Sequence, residues 1–365
     1  MSGGRVSTAR AQGADACRAP AADRPLVLVT GGAGYIGAVL VPMLVARGYR
    51  VRVVDRFYWG TAPLAAVLDQ VELVHADVRA LPPDVLDGVD AVVHLAGLSN
   101  DPTAEWAPAA NWQMNASATD EIARQCIRRA GVRRLTYGSS CSIYDGLPPG
   151  KVYDESAEVQ PHGAYATSKR YGEEALLAHA GPGFCPVILR QATVYGFSPR
   201  MRYDLVVNTF LKDALSRGRL SLHGGGWMWR PLVDVTDVAR AHITCLEAPE
   251  EQVRGEIFNV VHDNYQIRQL AMLVAGSAQL FGHPVALEET PLPPLVRDYR
   301  CSGQKLRERL GFEATITPLE SIADMLRRVT EGGYSDFNHP RFYNIAWMTL
   351  LAEVQPFLAP FESVI

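Results

Sequence analysis

The sequence predicts an α/β protein: a doubly wound parallel sheet joined to a smaller α/β domain. Two observations carry this prediction. Short apolar runs typical of buried strands alternate with stretches of helical periodicity over the first half of the chain. Beyond residue 192 the alternation gives way to glycine- and proline-containing segments of mixed polarity. The regular part therefore forms the sheet, and the irregular part forms the second domain.

The first predicted unit is a βαβ unit of about thirty residues. Residues 25–30 (Pro-Leu-Val-Leu-Val-Thr) are a short apolar run that leads directly into the turn Gly31-Gly-Ala-Gly-Tyr-Ile-Gly37. Apolar residues then recur at helical spacing between Val39 and Leu44, and residues 50–55 form a second β-rich run. This strand–turn–helix–strand order is typical of a Rossmann-type sheet.

The following elements repeat the pattern. Further strand-like runs end at Asp77, Gly97 and Ser140, and helical stretches cover about 115–130 and 164–179. Strands that alternate with helices run parallel, because each crossover returns the chain to the same edge of the sheet.

The changes of texture predict four segments. A tail rich in Ala, Gly and Arg comes first; it lacks the continuous apolar stretch of a signal peptide, and we expect it to be disordered, with an expression artefact or a mis-assigned start as alternatives. The predicted boundaries are 1–24 for the tail, 25–192 plus about 233–262 for the Rossmann domain, 193–232 plus about 263–330 for the substrate-binding domain, and 331–365 for a C-terminal extension.

Composition excludes several classes of protein. The chain has 365 residues, of which 48% are hydrophobic and 20% charged, as in globular proteins. A net charge of −4 gives no reason to expect nucleic acid or an anionic membrane as partner, and no apolar run is long enough for a transmembrane helix. Six scattered cysteines without a CxxC pair indicate free thiols in a reducing cytoplasm, and we predict no metal site.

The glycine-rich turn predicts a dinucleotide site. Gly31 permits the tight turn, Gly34 lets the backbone approach a pyrophosphate, and Gly37 lets the helix pack closely on the sheet. Asp55 ends the next strand at the right distance to bind a ribose 2′-hydroxyl, which favours NAD because a carboxylate repels the 2′-phosphate of NADP. Arg56 beside it keeps NADP open as an alternative.

A tyrosine and a lysine provide a candidate proton-transfer pair. Tyr165 and Lys169 are four residues apart in a predicted helix, so the phenol and the ammonium share one face. A phenol has a pKa of about 10, and a nearby cation lowers it by stabilising the phenolate. The chain has only four lysines, which makes a chance pair uncommon. A surface Tyr–Lys contact is the alternative, and the dinucleotide motif that precedes the pair argues against it.

Together these motifs resemble the extended short-chain dehydrogenase/reductase family, and in particular its nucleotide-sugar epimerases and dehydratases. The resemblance covers roughly residues 25–325. The motifs that carry it are the glycine turn, Asp77-Val78, His94-Leu-Ala-Gly97, Asn115, and the set Ser140, Tyr165 and Lys169.

The resemblance implies a set of residues that bind NAD. Asp77 and Val78 would flank the adenine, residues 95–97 would line the cofactor groove, and Asn115 would lie behind the catalytic residues. The full implied set is Gly31, Gly34, Tyr35, Ile36, Gly37, Asp55, Arg56, Asp77, Val78, Leu95, Ala96, Gly97, Asn115, Tyr165 and Lys169.

The resemblance also implies the first chemical step. Tyr165 as phenolate takes the proton of a sugar hydroxyl, most simply at C4, while hydride passes to NAD. Ser140 hydrogen-bonds the same oxygen, and Lys169 holds the nicotinamide ribose. Family spacing selects Ser140, with Ser139 as the alternative if the register slips by one. Asp145 stands where the family usually has Gly, which is a departure.

Loss of the proton and the hydride leaves a 4-ketosugar, and the residues after Ser140 indicate which reaction follows. Related 4,6-dehydratases have an Asp-Glu pair there, and related decarboxylases usually keep the Glu, whereas this chain has Cys141-Ser142. Serine is no replacement for a carboxylate base, and a thiol with a pKa near 8.5 is a poor acid. Both activities are therefore demoted. Cys141 is interpreted as a small packing residue, with an unusual acid as the alternative.

The substrate side is predicted from the same resemblance. Arg230 occupies a position where relatives bind the diphosphate with arginine, and Asn208 matches a position that contacts the nucleotide. Thr193 takes the place of a family Asn, and Arg297 is a second phosphate or ribose contact. The predicted substrate-binding set is Ser140, Cys141, Ser142, Thr193, Asn208, Arg230 and Arg297.

The sequence thus favours an NAD-dependent epimerase of nucleotide-diphosphate sugars, in the cytoplasm and as a homodimer. Three alternatives stay open. They are an NAD(P)H-dependent 4-ketosugar reductase, a dehydratase or decarboxylase, and a non-catalytic NAD-binding scaffold.

Overall fold

The structure, a computed structural model, describes residues 24–129, 131–292 and 296–358. Almost all of the predicted N-terminal tail lies outside these residues. The strands of the described part are β1 Leu26–Thr30, β2 Arg50–Asp55, β3 Val71–His75, β4 Ala91–His94, β5 Arg134–Ser140, β6 Val152–Tyr153, β7 Cys185–Gln191, β8 Thr193–Tyr195, β9 Arg219–His223, β10 Trp229–Asp234, β11 Glu256–Val260, β12 Asp263–Gln266, β13 Ala286–Thr290 and β14 Arg300–Cys301.

The helices connect and cover these strands. Within the described residues they are α1 Gly37–Ala46, α2 Asp101–Trp106, α3 Pro108–Trp112, α4 Ala118–Arg128, α5 Ala164–Ala178, α6 Val206–Arg217, α7 Val235–Glu247, α8 Glu250–Val253, α9 Ile267–Leu280, α10 Gln304–Leu310, α11 Pro318–Glu331 and α12 Asn344–Leu358. None of the described helices is long and apolar enough to cross a membrane.

Seven strands form the central sheet in the order β11-β7-β5-β4-β1-β2-β3. Every neighbouring pair is parallel. The chain runs outward from β1 to β3, then crosses back and continues from β4 on the other side of β1. The predicted doubly wound Rossmann-type sheet is thereby confirmed. In such sheets ligands bind outside the carboxyl ends of the strands, where the order reverses.

Alternation along β1 explains how both faces of the sheet are covered. Leu26 and Leu28 pack into a core with α4 and α5, whereas Val27 and Val29 pack into a core with α1 and α7. Successive side chains of a strand point to opposite faces, so an apolar run without polar alternation is buried on both sides.

The remaining strands form small sheets beside the central one. A three-stranded sheet has the order β12-β10-β8, and two pairs join β13 to β9 and β14 to β6. Helices α6, α9 and α11 enclose a separate apolar core next to these strands. The predicted domain boundaries stay a prediction.

The C-terminal segment packs on the loop that follows β2. The indole Nε1 of Trp347 donates to the carbonyl oxygen of Tyr58 at 2.6 Å, and that of Trp59 donates to the carbonyl oxygen of Arg341 at 2.8 Å. These two reciprocal bonds place the beginning of α12 beside the carboxyl end of β2, which is the edge of the sheet where the site lies.

Candidate active site

One cleft at the carboxyl ends of the strands brings most of the predicted site residues together. It begins at the glycine turn after β1, passes the ends of β4 and β5, and reaches β8. The predicted residues that line it are Gly31, Gly34, Tyr35, Ile36, Gly37, Asp55, Arg56, Val78, Leu95, Ala96, Gly97, Ser140, Ser142, Tyr165, Lys169, Thr193 and Arg297.

The glycine turn has the shape that a dinucleotide site requires. Gly31 has a φ of +73°, and a Cβ there would come within 2.8 Å of the Ala96 backbone nitrogen. A Cβ on Gly37 would clash with the carbonyl oxygen of Gly31 and the Cα of Gly32. The turn therefore tolerates no side chain at either position. It brings the N-terminal end of α1 against the cleft, where the positive end of the helix dipole favours phosphate.

Asp55 lies at the end of β2, next to this turn. Its carboxylate accepts hydrogen bonds from the backbone nitrogens of Ala33 at 3.0 Å and Phe57 at 2.8 Å. Burial raises the pKa of Asp55, and these backbone bonds oppose the rise. The carboxylate is thus fixed at the cleft wall, as a ribose ligand must be.

Arg56, the residue that left NADP open, is held by another carboxylate. Its Nη1 lies 2.5 Å from Asp77, which also binds Arg79 at 2.6 Å. The two guanidinium groups hold the pKa of Asp77 well below its ordinary value, against the effect of burial. Asp77 engages Arg56, but its single negative charge is shared with Arg79, so these ion pairs leave one positive charge uncompensated and do not by themselves select NAD over NADP.

The three predicted catalytic residues come from β5 and α5. Ser140 ends β5, and its hydroxyl oxygen accepts from the backbone nitrogen of Ser142 at 3.1 Å. Tyr165 and Lys169 are one turn apart on α5. The Lys169 Nζ is buried, donates to the carbonyl oxygen of Gly138 at 2.9 Å and lies 4.8 Å from the centre of the Tyr137 ring. The parallel sheet thus brings the three groups to one wall.

Ser139 has a different environment from Ser140. The Ser139 hydroxyl donates to Glu173 at 2.6 Å, and Glu173 forms a buried two-bond ion pair with Arg190 at 2.9 and 2.7 Å. That hydroxyl is committed to the interior, which favours the register that selects Ser140.

The pKa of Tyr165 and the cation that acts on it both differ from the prediction. Burial raises the pKa of Tyr165, whereas its spacing from Lys169 predicts a lowered value. The groups that oppose the rise are the Ser140 hydroxyl, the Arg202 guanidinium and the Asn100 backbone. Lys169 is itself affected, because burial lowers its pKa to about 8 while Glu173 raises it. The cation that favours the phenolate here is Arg202.

Five predicted residues do not line the cleft. Asp77 lies behind it in the ion pairs described above, and Asn115 is buried in a π-helical turn, where its Nδ2 donates to the Leu98 carbonyl oxygen at 2.9 Å. Arg230 lies behind the lining residue Arg297 and donates to the carbonyl oxygens of Trp229 and Arg297. The other two, Cys141 and Asn208, need correction.

Cys141 and Asn208 are predicted from the sequence as substrate contacts, and the structure gives them internal partners instead. The buried thiol of Cys141 donates to the Arg190 carbonyl oxygen at 3.2 Å. Asn208 accepts from the Gly196 nitrogen at 3.2 Å and donates to the Tyr35 hydroxyl at 3.1 Å. Since both side chains are fully buried, they hold the walls together and do not reach the cleft.

The substrate end of the cleft contains Ser142, Thr193 and Arg297. The Ser142 hydroxyl is buried with no hydrogen-bond partner among the described residues, so a substrate oxygen would satisfy it. Arg297 forms ion pairs with Asp101 and with Asp145, the latter at 3.4 Å. The departure at Asp145 therefore has a structural role: its carboxylate holds a predicted phosphate ligand.

A group of residues on the cofactor side of the cleft was not predicted from the sequence. Arg200 and Arg202 lie on the loop 196–205 after β8, and Asn344 begins α12; all three line the cleft. Two arginines in the loop that follows β8 could have indicated an anion site from the sequence alone. The sequence contains no such indication for Asn344, because its position depends on packing with residues about 140 to 240 positions away in the chain.

The comparisons agree with this geometry. Residues 27–260 match the NAD dependent epimerase/dehydratase family. A UDP-glucose 4-epimerase of Corynebacterium glutamicum is 28% identical over 318 residues, which are 82% of this chain and 93% of that protein. A UDP-N-acetyl-alpha-D-glucosaminuronate decarboxylase of Bacillus cytotoxicus is 28% identical over 329 residues, 82% of this chain and 96% of that protein.

A solved structure matches over the same part of the chain. It is DesIV, a dTDP-glucose 4,6-dehydratase of Streptomyces venezuelae, with NAD and TYD bound. The TM-score is 0.74 at 25% identity, over 85% of this chain and 99% of that one. The three similar proteins are named for three different reactions.

Proposed function

The chain belongs to the NAD-dependent epimerase/dehydratase family, and from that premise we propose that it is a nucleotide-sugar epimerase that acts through a transient 4-ketosugar. Inversion at C4 is the simplest form of this reaction. The observation that carries the proposal is the charge of the cleft wall. Among the described lining residues Asp55 is the one carboxylate, and it lies at the cofactor end.

This distribution of carboxylates discriminates between reactions on the ketosugar. Elimination of water needs an acid and a base beside the sugar, in addition to the pair that handles the hydroxyl. Ser142 is neutral, the Cys141 thiol faces the interior, and Asp145 is bound by Arg297. Dehydratase activity is therefore less well supported than epimerisation, which needs no further acid or base. Decarboxylase activity is demoted only by the resemblance, because related decarboxylases usually have Glu at the position of Ser142.

The residues of the chain have separate roles in the proposed reaction. Tyr165 accepts the proton of the sugar hydroxyl and later returns it, and Ser140 hydrogen-bonds the same oxygen. Arg202 favours the phenolate electrostatically, as does the positive charge of NAD⁺. When bound, NAD supplies the acceptor and donor of hydride. The glycine turn, Asp55 and Lys169 hold that cofactor.

A panel of nucleotide sugars tests this proposal. The protein is incubated with each sugar in D₂O, and ring-proton exchange and product stereochemistry are followed by NMR. We expect inversion at C4 without deuterium in the ring, because the hydride returns from the cofactor that removed it. Deuterium at C5, or a product that has lost water, would identify elimination chemistry and overturn the proposal.

A 4-ketosugar reductase is the second candidate, and one observation favours it. Burial raises the pKa of Tyr165, and a protonated phenol is the form that donates a proton to a ketone as it is reduced. Stoichiometric consumption of NADH or NADPH with a 4-ketosugar, without redox-neutral interconversion, would select this reaction. The homodimer and the cytoplasmic location expected from the sequence stay predictions.

A further inference from the structure

We propose that Arg200 is a ligand of the cofactor's diphosphate and that Asn344 of the C-terminal segment positions it. The cofactor site then includes residues beyond the 27–260 family match. This inference rests on the proposed NAD-dependent function for the identity of the ligand, and it is independent of which sugar is the substrate.

The loop that carries Arg200 is tied to the glycine turn. The Tyr35 hydroxyl in the turn donates to the Gly196 carbonyl oxygen at 2.5 Å, and the Ser198 hydroxyl donates to the Tyr35 carbonyl oxygen at 2.7 Å. The Arg200 backbone nitrogen donates to the same Ser198 hydroxyl oxygen at 3.2 Å. The loop therefore lies directly against the glycine turn, and these bonds fix the position of the Arg200 backbone relative to that turn.

The Arg200 side chain is buried and only partly satisfied. It is 5% exposed, its guanidinium lies 3.8 Å from the centre of the Trp59 ring, and one nitrogen donates to the Asn344 Oδ1. The other two, Nε and Nη1, are buried with no hydrogen-bond partner among the described residues. A buried cation with two unused donors is costly unless an anion binds it.

Neighbouring carboxylates do not satisfy this cation. Asp204 is committed to Arg202, with both contacts at 2.8 Å, and Asp55 accepts from the backbone. Burial lowers the pKa of Arg200 to about 9, and the adjacent Arg202 contributes to the lowering. The positive charge is therefore under-compensated within the protein itself.

The position of Arg200 selects the diphosphate as the anion. Asp55 is near enough to interact with Arg200 electrostatically, and a neutral ribose hydroxyl suits that carboxylate whereas a phosphate does not. The loop of Arg200 is bonded to Tyr35 of the glycine turn, which leads into the N-terminal end of α1, where phosphate is favoured. The diphosphate is the anionic part of a dinucleotide that runs between them. The unused Nε and Nη1 lie on different edges of the guanidinium, because Nη2, which bonds Asn344, is the neighbour of the Nε–H. Each can donate a separate charge-assisted hydrogen bond to an oxygen of the diphosphate.

Asn344 fixes the orientation of the Arg200 guanidinium. It is 7% exposed, its Oδ1 accepts from Arg200, and its Nδ2 donates to the Ser99 hydroxyl oxygen at 3.0 Å. The same oxygen accepts from Arg202 at 2.9 Å. One amide thus links α12 to both arginines, so Asn344 acts on the ligand through Arg200 and is a positioning residue.

Calorimetric titration of the cofactor-stripped full chain tests the inference with ADP-ribose, ADP, adenosine and NADP. We expect Arg200→Met to weaken ADP-ribose and ADP by roughly 10- to 100-fold, the range of a charge-assisted hydrogen bond, and to change adenosine affinity less than about threefold. Arg268→Met is the matched control. Arg268 also stacks on a tryptophan, with its guanidinium 5.2 Å from the centre of the Trp227 ring, but it is not a lining residue of the cleft, and we expect no change.

The positioning role has its own readout. Asn344→Ala should weaken ADP-ribose by roughly three- to tenfold and add nothing in the Arg200→Met background, because Arg200 is the proposed phosphate ligand that the amide holds, and its other bond, to Ser99, does not involve that ligand. This variant also keeps the inference testable if Arg200→Met does not fold. Additive losses would contradict the positioning role.

Three results would overturn the phosphate contact. They are an unchanged affinity for ADP-ribose in Arg200→Met, an equal loss for adenosine, which indicates a general structural defect, and a loss confined to NADP, which indicates a 2′-phosphate contact. None of these depends on the sugar panel. If epimerisation fails while the ADP effect is found, the proposed reaction is wrong and the phosphate contact stands.

Discussion

At the residue scale, Tyr165 is controlled by its surroundings from two directions. Burial disfavours the phenolate, whereas the Ser140 hydroxyl and the Arg202 guanidinium favour it. Arg202 is itself buried and held by Asp204, so its charge is fixed in place. The net effect is a raised pKa, so the neutral phenol is favoured within the protein alone, and the positive charge of NAD⁺ would favour the phenolate when the cofactor is bound.

Replacing Tyr165 by Phe tests its assignment as the proton-transfer group. We expect turnover of the nucleotide sugar to fall by roughly 10²- to 10⁴-fold, because that is the usual contribution of general acid–base catalysis. NAD affinity should stay within a few-fold. Tyr171→Phe on the same helix is the control, since that side chain is largely exposed and no lining residue of the cleft. Turnover of Tyr165→Phe within severalfold of the wild type would refute the assignment.

Lys169 predicts a pH dependence of stability. Burial lowers its pKa from about 10.5 to about 8 in the folded protein. Between these values the unfolded chain keeps the proton and the folded chain has lost it, so the free energy of unfolding rises with pH. Relative to Lys169→Met, the wild type should gain at most about 1.4 kcal/mol per pH unit between pH 8 and 10.5.

Urea unfolding of both proteins across that pH range measures this difference. Every other titrating group is shared by the two proteins and cancels. Parallel stability curves would mean that the Lys169 ammonium is not destabilised in the folded state.

At the element scale, the site depends on how α1 begins. The helix starts at Gly37 directly after the turn, and the backbone of Gly31 and Gly32 lies against its first residue. This close approach brings the N-terminal end of α1, the positive end of its dipole, to the cleft wall. The same edge of the sheet receives the end of β5 and the start of α5, which supply Ser140, Tyr165 and Lys169.

Gly37→Ala tests this packing. The new methyl group would clash with backbone atoms that have no room to move, so we expect a loss of about 2–4 kcal/mol in the free energy of unfolding and loss of NAD binding. The matched control is Gly276→Ala in α9, where a Cβ meets nothing within 4 Å. There we expect a gain of about 0.5–1 kcal/mol, because alanine favours helix more than glycine does.

Chemical denaturation and NAD titration of both variants measure these effects. Equal stability of the Gly37→Ala and wild-type proteins would show that the turn can relax, and the close approach would then impose no requirement for glycine.

At the scale of the whole molecule, three distant parts of the chain enclose the cofactor end of the cleft. They are the glycine turn, the loop 196–205 and the start of α12. Hydrogen bonds join the first two at Tyr35 and Gly196, and Arg200 and Asn344 join the second to the third. Ligand binding at this end therefore acts on segments that are far apart in sequence.

Hydrogen exchange tests this coupling. We expect NAD to slow amide exchange in residues 196–205 and 340–348 as well as in the glycine turn, because opening of either segment would break contacts around the bound cofactor. The exposed strand β13, which takes no part in the cleft, should exchange equally with and without NAD. Protection confined to the glycine turn would contradict the coupling.

Most of the cofactor site follows from local sequence, and much of the substrate site does not. The glycine turn, Asp55, Ser140 and the Tyr165–Lys169 pair lie on short segments whose geometry is set by strand–turn–helix order, so spacing alone places them. Asn208 matches a family position and Cys141 departs from the family pattern, but both side chains face the interior. Which way such a side chain points depends on neighbours that spacing does not specify.

The amino-acid sequence by itself determined the parallel sheet, its ligand edge and the grouping of Ser140, Tyr165 and Lys169 at that edge. Periodicity and glycine spacing act within about thirty residues, and the backbone obeys them wherever the chain packs. Only the tertiary structure decided which charges surround Tyr165 and how the cofactor cleft is closed. Arg202, Arg200 and Asn344 act through buried contacts over long sequence separations, and such contacts form only when the whole chain is folded.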